Sequence, residues 1–136
     1  MLGLAENIIV IYNFDHGGIL PRSKRYLHAT GIHSSLIVRI PEKYKSLYPA
    51  DATGSTIDRI ISFIDMTTTF MSLCQVAIPD YMQGKIFLGN DQDPERDYHF
   101  SFRGTMDERA ENALQCMTKT LFMLRIICPS PHGCST

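Results

Sequence analysis

The hydrophobic pattern falls into short runs separated by polar stretches rich in glycine and proline. The first run, Ile8 to Tyr12, is apolar at every position and mostly β-branched. A strand of that kind is expected to be buried on both faces, as in parallel sheets covered by helices. Ser35 to Ile40 is a second strand, stopped by Pro41, which cannot donate to a ladder. Lys43 to Leu47 suits a short helix, and Thr56 to Ile64 reads as a third strand. Asp65 then suits a helix N-cap, and Met66, Phe70, Leu73 and Cys74 recur at helical spacing, predicting a buried stripe from Met66 to Cys74. Ile78 to Gly84 and Asn90 to Asp97 read as loops. Tyr98, Phe100 and Phe102 alternate with His99, Ser101 and Arg103, a strand with one buried face. Ala110, Leu114, Met117, Leu121 and Leu124 step by four and three, so residues 110–127 fit a helix on periodicity, with a hairpin as the alternative.

Composition narrows this picture. The chain has 136 residues, with 13 basic and 14 acidic side chains. That balance gives no support for a nucleic-acid surface or a polybasic membrane patch. The longest uncharged stretch, Met66 to Pro79, is too short and polar to span a bilayer. The amino terminus lacks the basic region and apolar core of a signal peptide and runs almost at once into the first strand, as though the chain begins mid-fold. Residues 1–136 read as a single, partial domain without internal repeats. Cys74 and Cys116 sit in apolar company and read as buried free thiols. Cys128, His132 and Cys134 have metal-binding side chains but lie in a Pro/Gly/Ser tail, 128–136, expected to fray.

The candidate chemistry stands at the end of the first strand, where ligands bind in open α/β sheets. Asp15 and His16 offer a carboxylate and an imidazole to a divalent cation, and Gly17 and Gly18 let the backbone turn sharply. A basic loop follows with Arg22, Lys24 and Arg25, then His33 before the second strand. Lys24 and His33 would put positive charge on an anionic substrate, the electrostatic equipment of sulfuryl or phosphoryl transfer. A solvated Lys24 and a His33 that merely caps its strand are the plainer alternatives. No nucleophile motif accompanies these residues, and one carboxylate with one imidazole is short of a full metal shell.

The words Ile-Val-Ile-Tyr-Asn-Phe-Asp-His-Gly-Gly, Leu-Pro-Arg-Ser-Lys-Arg-Tyr-Leu and Gly-Ile-His-Ser-Ser-Leu-Ile-Val-Arg-Ile-Pro carry a resemblance. So do Ser-Thr-Ile-Asp-Arg-Ile-Ile-Ser-Phe-Ile-Asp, Ile-Pro-Asp-Tyr-Met-Gln-Gly and Met-Asp-Glu-Arg. From about Glu6 to Arg109 the chain resembles the carboxyl-terminal part of the catalytic domain of formylglycine-dependent sulfatases, in the alkaline-phosphatase-like superfamily. The resemblance implies an α/β fold, a partial mixed, mostly parallel sheet with flanking helices. It implies hydrolysis of a sulfate ester of a small molecule or carbohydrate. It also implies that Asp15 and His16 bind a divalent metal, usually calcium, that Lys24 contacts the sulfate, and that His33 lies close to the substrate. The formylglycine motif Cys/Ser-x-Pro-x-Arg and the early Asp-Asp metal pair are absent, so the chain is expected to be inactive alone, with an amino-terminal half missing or supplied in trans. Phe14, Ala29, Ser35 and Thr67 to Thr69 depart from the family pattern. Beyond Arg109 the family's antiparallel strands favour the hairpin. A phosphodiesterase or phosphonate hydrolase of the same superfamily, and a non-catalytic partner-binding remnant, are the alternatives. Periplasmic or secreted placement follows from the resemblance.

Overall fold

The computed structural model describes residues 3–48, 54–104, 112–120 and 122–127. Their regular elements are strands β1 (Val10–Asn13), β2 (Leu36–Arg39), β3 (His99–Arg103), β4 (Asn112–Met117) and β5 (Phe122–Ile127), and helices α1 (Ala29–Ile32) and α2 (Phe63–Leu73). A 3-10 turn covers Leu4–Asn7, and two short 3-10 turns meeting at a kink at Tyr44 cover Glu42–Leu47. The strands make two small antiparallel sheets, β1-β2 and β3-β4-β5. The expected mostly parallel sheet is therefore not shown by the described residues. Phe14 N–H donates to Ser35 C=O just past the end of β1 and before the start of β2, which is antiparallel register. No helix among the described residues is long and apolar enough to cross a membrane.

Burial corrects the reading of β1. Ile8, Val10, Tyr12 and Phe14 are all about half exposed rather than covered on both faces. An apolar run signals that a strand wants cover, but among the described strands β1 has a single neighbour, β2. Tyr12 and Phe14 shield one another edge to face, with ring centroids 5.1 Å apart.

The chain divides into two compact units, the first of Met1–Val10 with Val38–Asp97 and the second of Ile11–Ile37 with Tyr98–Thr136. In the first, α2 begins at Phe63, with Ser62 as its N-cap. Asp65 is thus the third helical residue and not the cap; its Oδ2 accepts the Ser62 N–H at 2.8 Å, the reach-back half of a capping box. Residues 56–62, read as a strand, form none, because this segment is tied by side chains to a loop. Arg59 Nη2 donates to Asp93 C=O at 2.6 Å, and Ile60 N–H donates to Glu95 Oε1 at 2.9 Å.

The buried face of α2 is not the apolar stripe. Asp65, Thr68 and Thr69 are buried, whereas Phe70 and Cys74 are exposed. The polar face wins because the loop following the helix turns its backbone towards it. Lys85 N–H donates to Asp65 Oδ1 (2.7 Å) and Phe87 N–H to Thr69 Oγ1 (3.1 Å). Arg96 completes the knot with Nη2 at 2.6 Å from Oδ1 and Nε at 3.2 Å from Oδ2. Phe87 and Leu88 supply the apolar part of this core.

In the second unit residues 112–117 and 122–127 pair as an antiparallel hairpin and are not a helix. β4 lies between β3 and β5, with Phe102 opposite Leu114 and Cys116 opposite Met123. A helix there would leave β3 without a ladder partner among the described strands. The alternation in β3 is real but inverted. Phe100 and Phe102 are 71% and 69% exposed, and Leu114 and Met123 on the same face are exposed with them. The covered face carries His99, Ser101, Arg103, Ala113 and Gln115. Cys116 is half-buried and Cys74 exposed, so neither is the buried thiol expected; both are free. Ala110, Leu121 and the tail with Cys128, His132 and Cys134 lie outside the described residues.

Candidate functional site

The segment between β1 and β2 belongs wholly to the second unit and folds back on itself. The contact that sets it is backbone to backbone: Gly17 N–H donates to Gly31 C=O at 2.8 Å. A Cβ at Gly17 would run into Thr30 C=O, and a Cβ at Gly31 into the carbonyls of Ser23 and Tyr26. Glycine at both positions lets the turn after β1, the helix α1 and the basic loop meet at van der Waals distance. Ser34 Oγ donates to Phe14 C=O, closing the base of the turn.

The loop from Ile19 to His28 is laced by its own backbone. Ser23 N–H donates to Leu20 C=O (3.0 Å), Lys24 N–H to Gly18 C=O (3.0 Å) and Tyr26 N–H to Ser23 C=O (3.1 Å). Thr30 Oγ1 donates to Arg22 C=O at 2.9 Å, tying the loop to α1. The result buries Ser23, at 2% exposure, and leaves Lys24 in solvent. Arg22 and Arg25 bracket it with φ of 64° and 77°, left-handed conformations that L side chains resist.

The four sequence candidates all fall on this folded segment. Asp15 Oδ1 lies 3.7 Å from His16 Nε2; the Asp15 side chain is 90% exposed and that of His16 26%. The His16 Nδ1 is buried and has no hydrogen-bond partner among the described residues. Lys24 joins the Asp15–His16 turn through Gly18, two residues beyond His16. His33 caps the C-terminus of α1, its N–H donating to Ala29 C=O at 2.8 Å, so it ends a helix and does not cap a strand. Among the described residues no group of three or more His, Cys, Asp or Glu side chains could hold a metal ion. The arrangement brings a carboxylate and an imidazole 3.7 Å apart onto the same folded segment as the exposed Lys24.

Three contributors escaped the sequence reading. Gly31 carries no local signal that two carbonyls occupy the space a Cβ would need. Ser23 lies buried inside the basic run, and its type and neighbours give no sign of that. Arg103 looked like the polar side of a strand, yet its guanidinium carbon lies 5.4 Å from the centre of the Tyr26 ring.

The chain is similar to an ulvan-active sulfatase of Formosa agariphila, with 38% identity over 96 residues, 71% of this chain and 15% of that protein. This likeness supports a relationship to the sulfatase family. The chain thus spans only a small part of the curated relative it matches. No family model matches the chain, and no solved structure matches it.

Proposed function

We propose that this chain carries part of the site of a formylglycine-dependent sulfatase, a hydrolase of sulfate esters, and that it corresponds to the carboxyl-terminal part of the catalytic domain. The observation that supports this best is the fold-back joining Lys24 to the Asp15–His16 turn through Gly18. A lysine there can meet a sulfate group whose other oxygens face a cation on Asp15 and His16.

In this reading Asp15 and His16 are two of the ligands of a divalent cation, calcium in the first instance. Their donor atoms, 3.7 Å apart, fit two ligands of one cation at bond lengths of about 2.0–2.5 Å. Such an ion would supply positive charge to the sulfate oxygens. The remaining ligands and the formylglycine nucleophile are expected from residues outside this chain, which contains no Cys/Ser-x-Pro-x-Arg motif. Lys24 neutralises a sulfate oxygen from the solvent side, and its reach and rotamer freedom suit a substrate that enters from bulk water. His33 lies close to the substrate at the end of α1. A sulfated small molecule or carbohydrate is the substrate class.

The coding sequence upstream of Met1 gives the first test. An in-frame nucleophile motif and an Asp-Asp pair are expected, and unrelated sequence there would end the catalytic reading for this chain. In a protein completed by that sequence, Asp15→Asn and Lys24→Ala should each lower turnover of an aryl sulfate by about a hundredfold or more, the usual effect of removing one preorganised charge. Retention of full turnover in either variant would remove that residue from the site.

A further inference from the structure

Lys24 is only as well placed as the loop that holds it. On one side that loop is fixed by the hydrogen bonds to Gly18 and Leu20, and Arg22 and Arg25 hold left-handed conformations at φ 64° and 77°. Such conformations persist where surrounding structure over-determines them. On the other side the loop has Tyr26. Its backbone carbonyl occupies the space that a Cβ at position 31 would need, and its ring stacks on His28, with centroids 6.3 Å apart and planes 30° from parallel. The Arg103 guanidinium meets the same ring at 5.4 Å.

Arg103 reaches the loop from a rigid element. It is the last residue of β3 and pairs across the ladder with Ala113, which is almost wholly buried on β4. A planar cation over an aromatic face constrains the ring's position and tilt, which a flexible ammonium does less well. We infer that Arg103 is a positioning residue for Lys24: it clamps Tyr26 and so fixes the strained turn that presents the lysine. This rests on the reading of Lys24 as the sulfate-contacting lysine. Arg103 acts through Tyr26 and touches no substrate.

The test is a titration of the full 136-residue chain with inorganic sulfate at constant ionic strength, followed by amide resonances. Arg103→Ala and Tyr26→Leu are expected to move the resonances of residues 22–28 alike. Both should weaken sulfate binding by about two- to fivefold, the equivalent of one exposed cation–π contact. Arg103→Lys should fall between these variants and the unaltered chain, and Tyr26→Phe, which keeps the ring, should match the unaltered chain. Loop resonances and sulfate affinity unchanged in Arg103→Ala would overturn the inference. If Arg103→Ala disrupts the sheet, the Tyr26 pair decides, and equal sulfate affinity in Tyr26→Leu and Tyr26→Phe overturns it. Absence of sulfate binding in the unaltered chain would instead end the sulfate role of Lys24, and with it Arg103's part in that role. That failure is told apart by loop resonances that still respond to Arg103→Ala.

Discussion

The two units solve the burial of polar side chains in opposite ways. In the first, the buried Asp65 carboxylate is fully engaged, taking hydrogen bonds from the backbone of Ser62 and Lys85 and from two nitrogens of Arg96. In the second, the covered face of the β3-β4-β5 sheet holds polar side chains with unused valence. Gln115 is 2% exposed, and among the described residues neither its Oε1 nor the buried His99 Nδ1 has a hydrogen-bond partner. Meanwhile Phe100 and Phe102 stand in water on the outer face. A phenyl ring left exposed forgoes roughly 1.5–3 kcal/mol of burial. Polar contacts complete within a unit make it self-contained. An inverted sheet has its most favourable burial still to make.

The largest break in this contrast should come from Asp65→Ala. Removing one partner of a buried pair strands Arg96, and destabilisation of the first unit by about 3 kcal/mol or more is expected in urea unfolding. A loss under about 1 kcal/mol would mean the Arg96 contact is largely solvated and contributes little. Gly31→Ala attacks the second unit instead. Its new methyl meets two carbonyls, so about 1–3 kcal/mol should be lost, and the resonances of Ser23 to Tyr26 should shift. A neutral Gly31→Ala would show that α1 and the basic loop do not touch as described.

Acid should separate the units. Burial alone pushes the Asp65 carboxyl up, but the hydrogen bonds and charge of Arg96, with the Lys85 and Ser62 amides, outweigh it and leave the pKa lowered. Its contribution is present above the unfolded value near 3.8 and is lost as pH falls through the lower folded value. Burial lowers the His99 pKa below 6.5. Only the unfolded chain then takes up a proton easily, so the second unit loses stability as pH falls below about 6.5. A pH series of unfolding curves should therefore weaken the second unit first; simultaneous loss would contradict this order. The smallest effect concerns the outer face of the sheet. Phe100→Ser with Phe102→Ser should change stability by about 0.5 kcal/mol or less while raising solubility. A large loss of stability would show those rings to be covered.

Much of the fold was legible along the chain, and the misses share a cause. β2 and β3 were visible as β-rich runs ended by proline or marked by alternation, and Asp15, His16, Lys24 and His33 do fall on one folded segment between β1 and β2. α2 was visible within a few residues at its start; its capping box was not, because Ser62 and Asp65 compete for the same role by composition. The helical stepping of Leu114 and Met117 competed with the hairpin that forms, in which those residues face opposite sides of β4. Gly31 was silent because its neighbours are backbone carbonyls, which no side-chain pattern marks, and Arg103 because its partner ring is distant in sequence.

Local sequence determined which residues share a face and where backbone could turn: the period of two in His99 to Arg103, the glycines after Asp15 and His16, the proline after β2. Tertiary structure decided which face is covered, which way strands pair and which polar groups find partners. Periodicity is a property of one element, whereas burial depends on what lies opposite, and the Arg96 and Lys85 partners of Asp65 and the Arg103 partner of Tyr26 come from other parts of the chain.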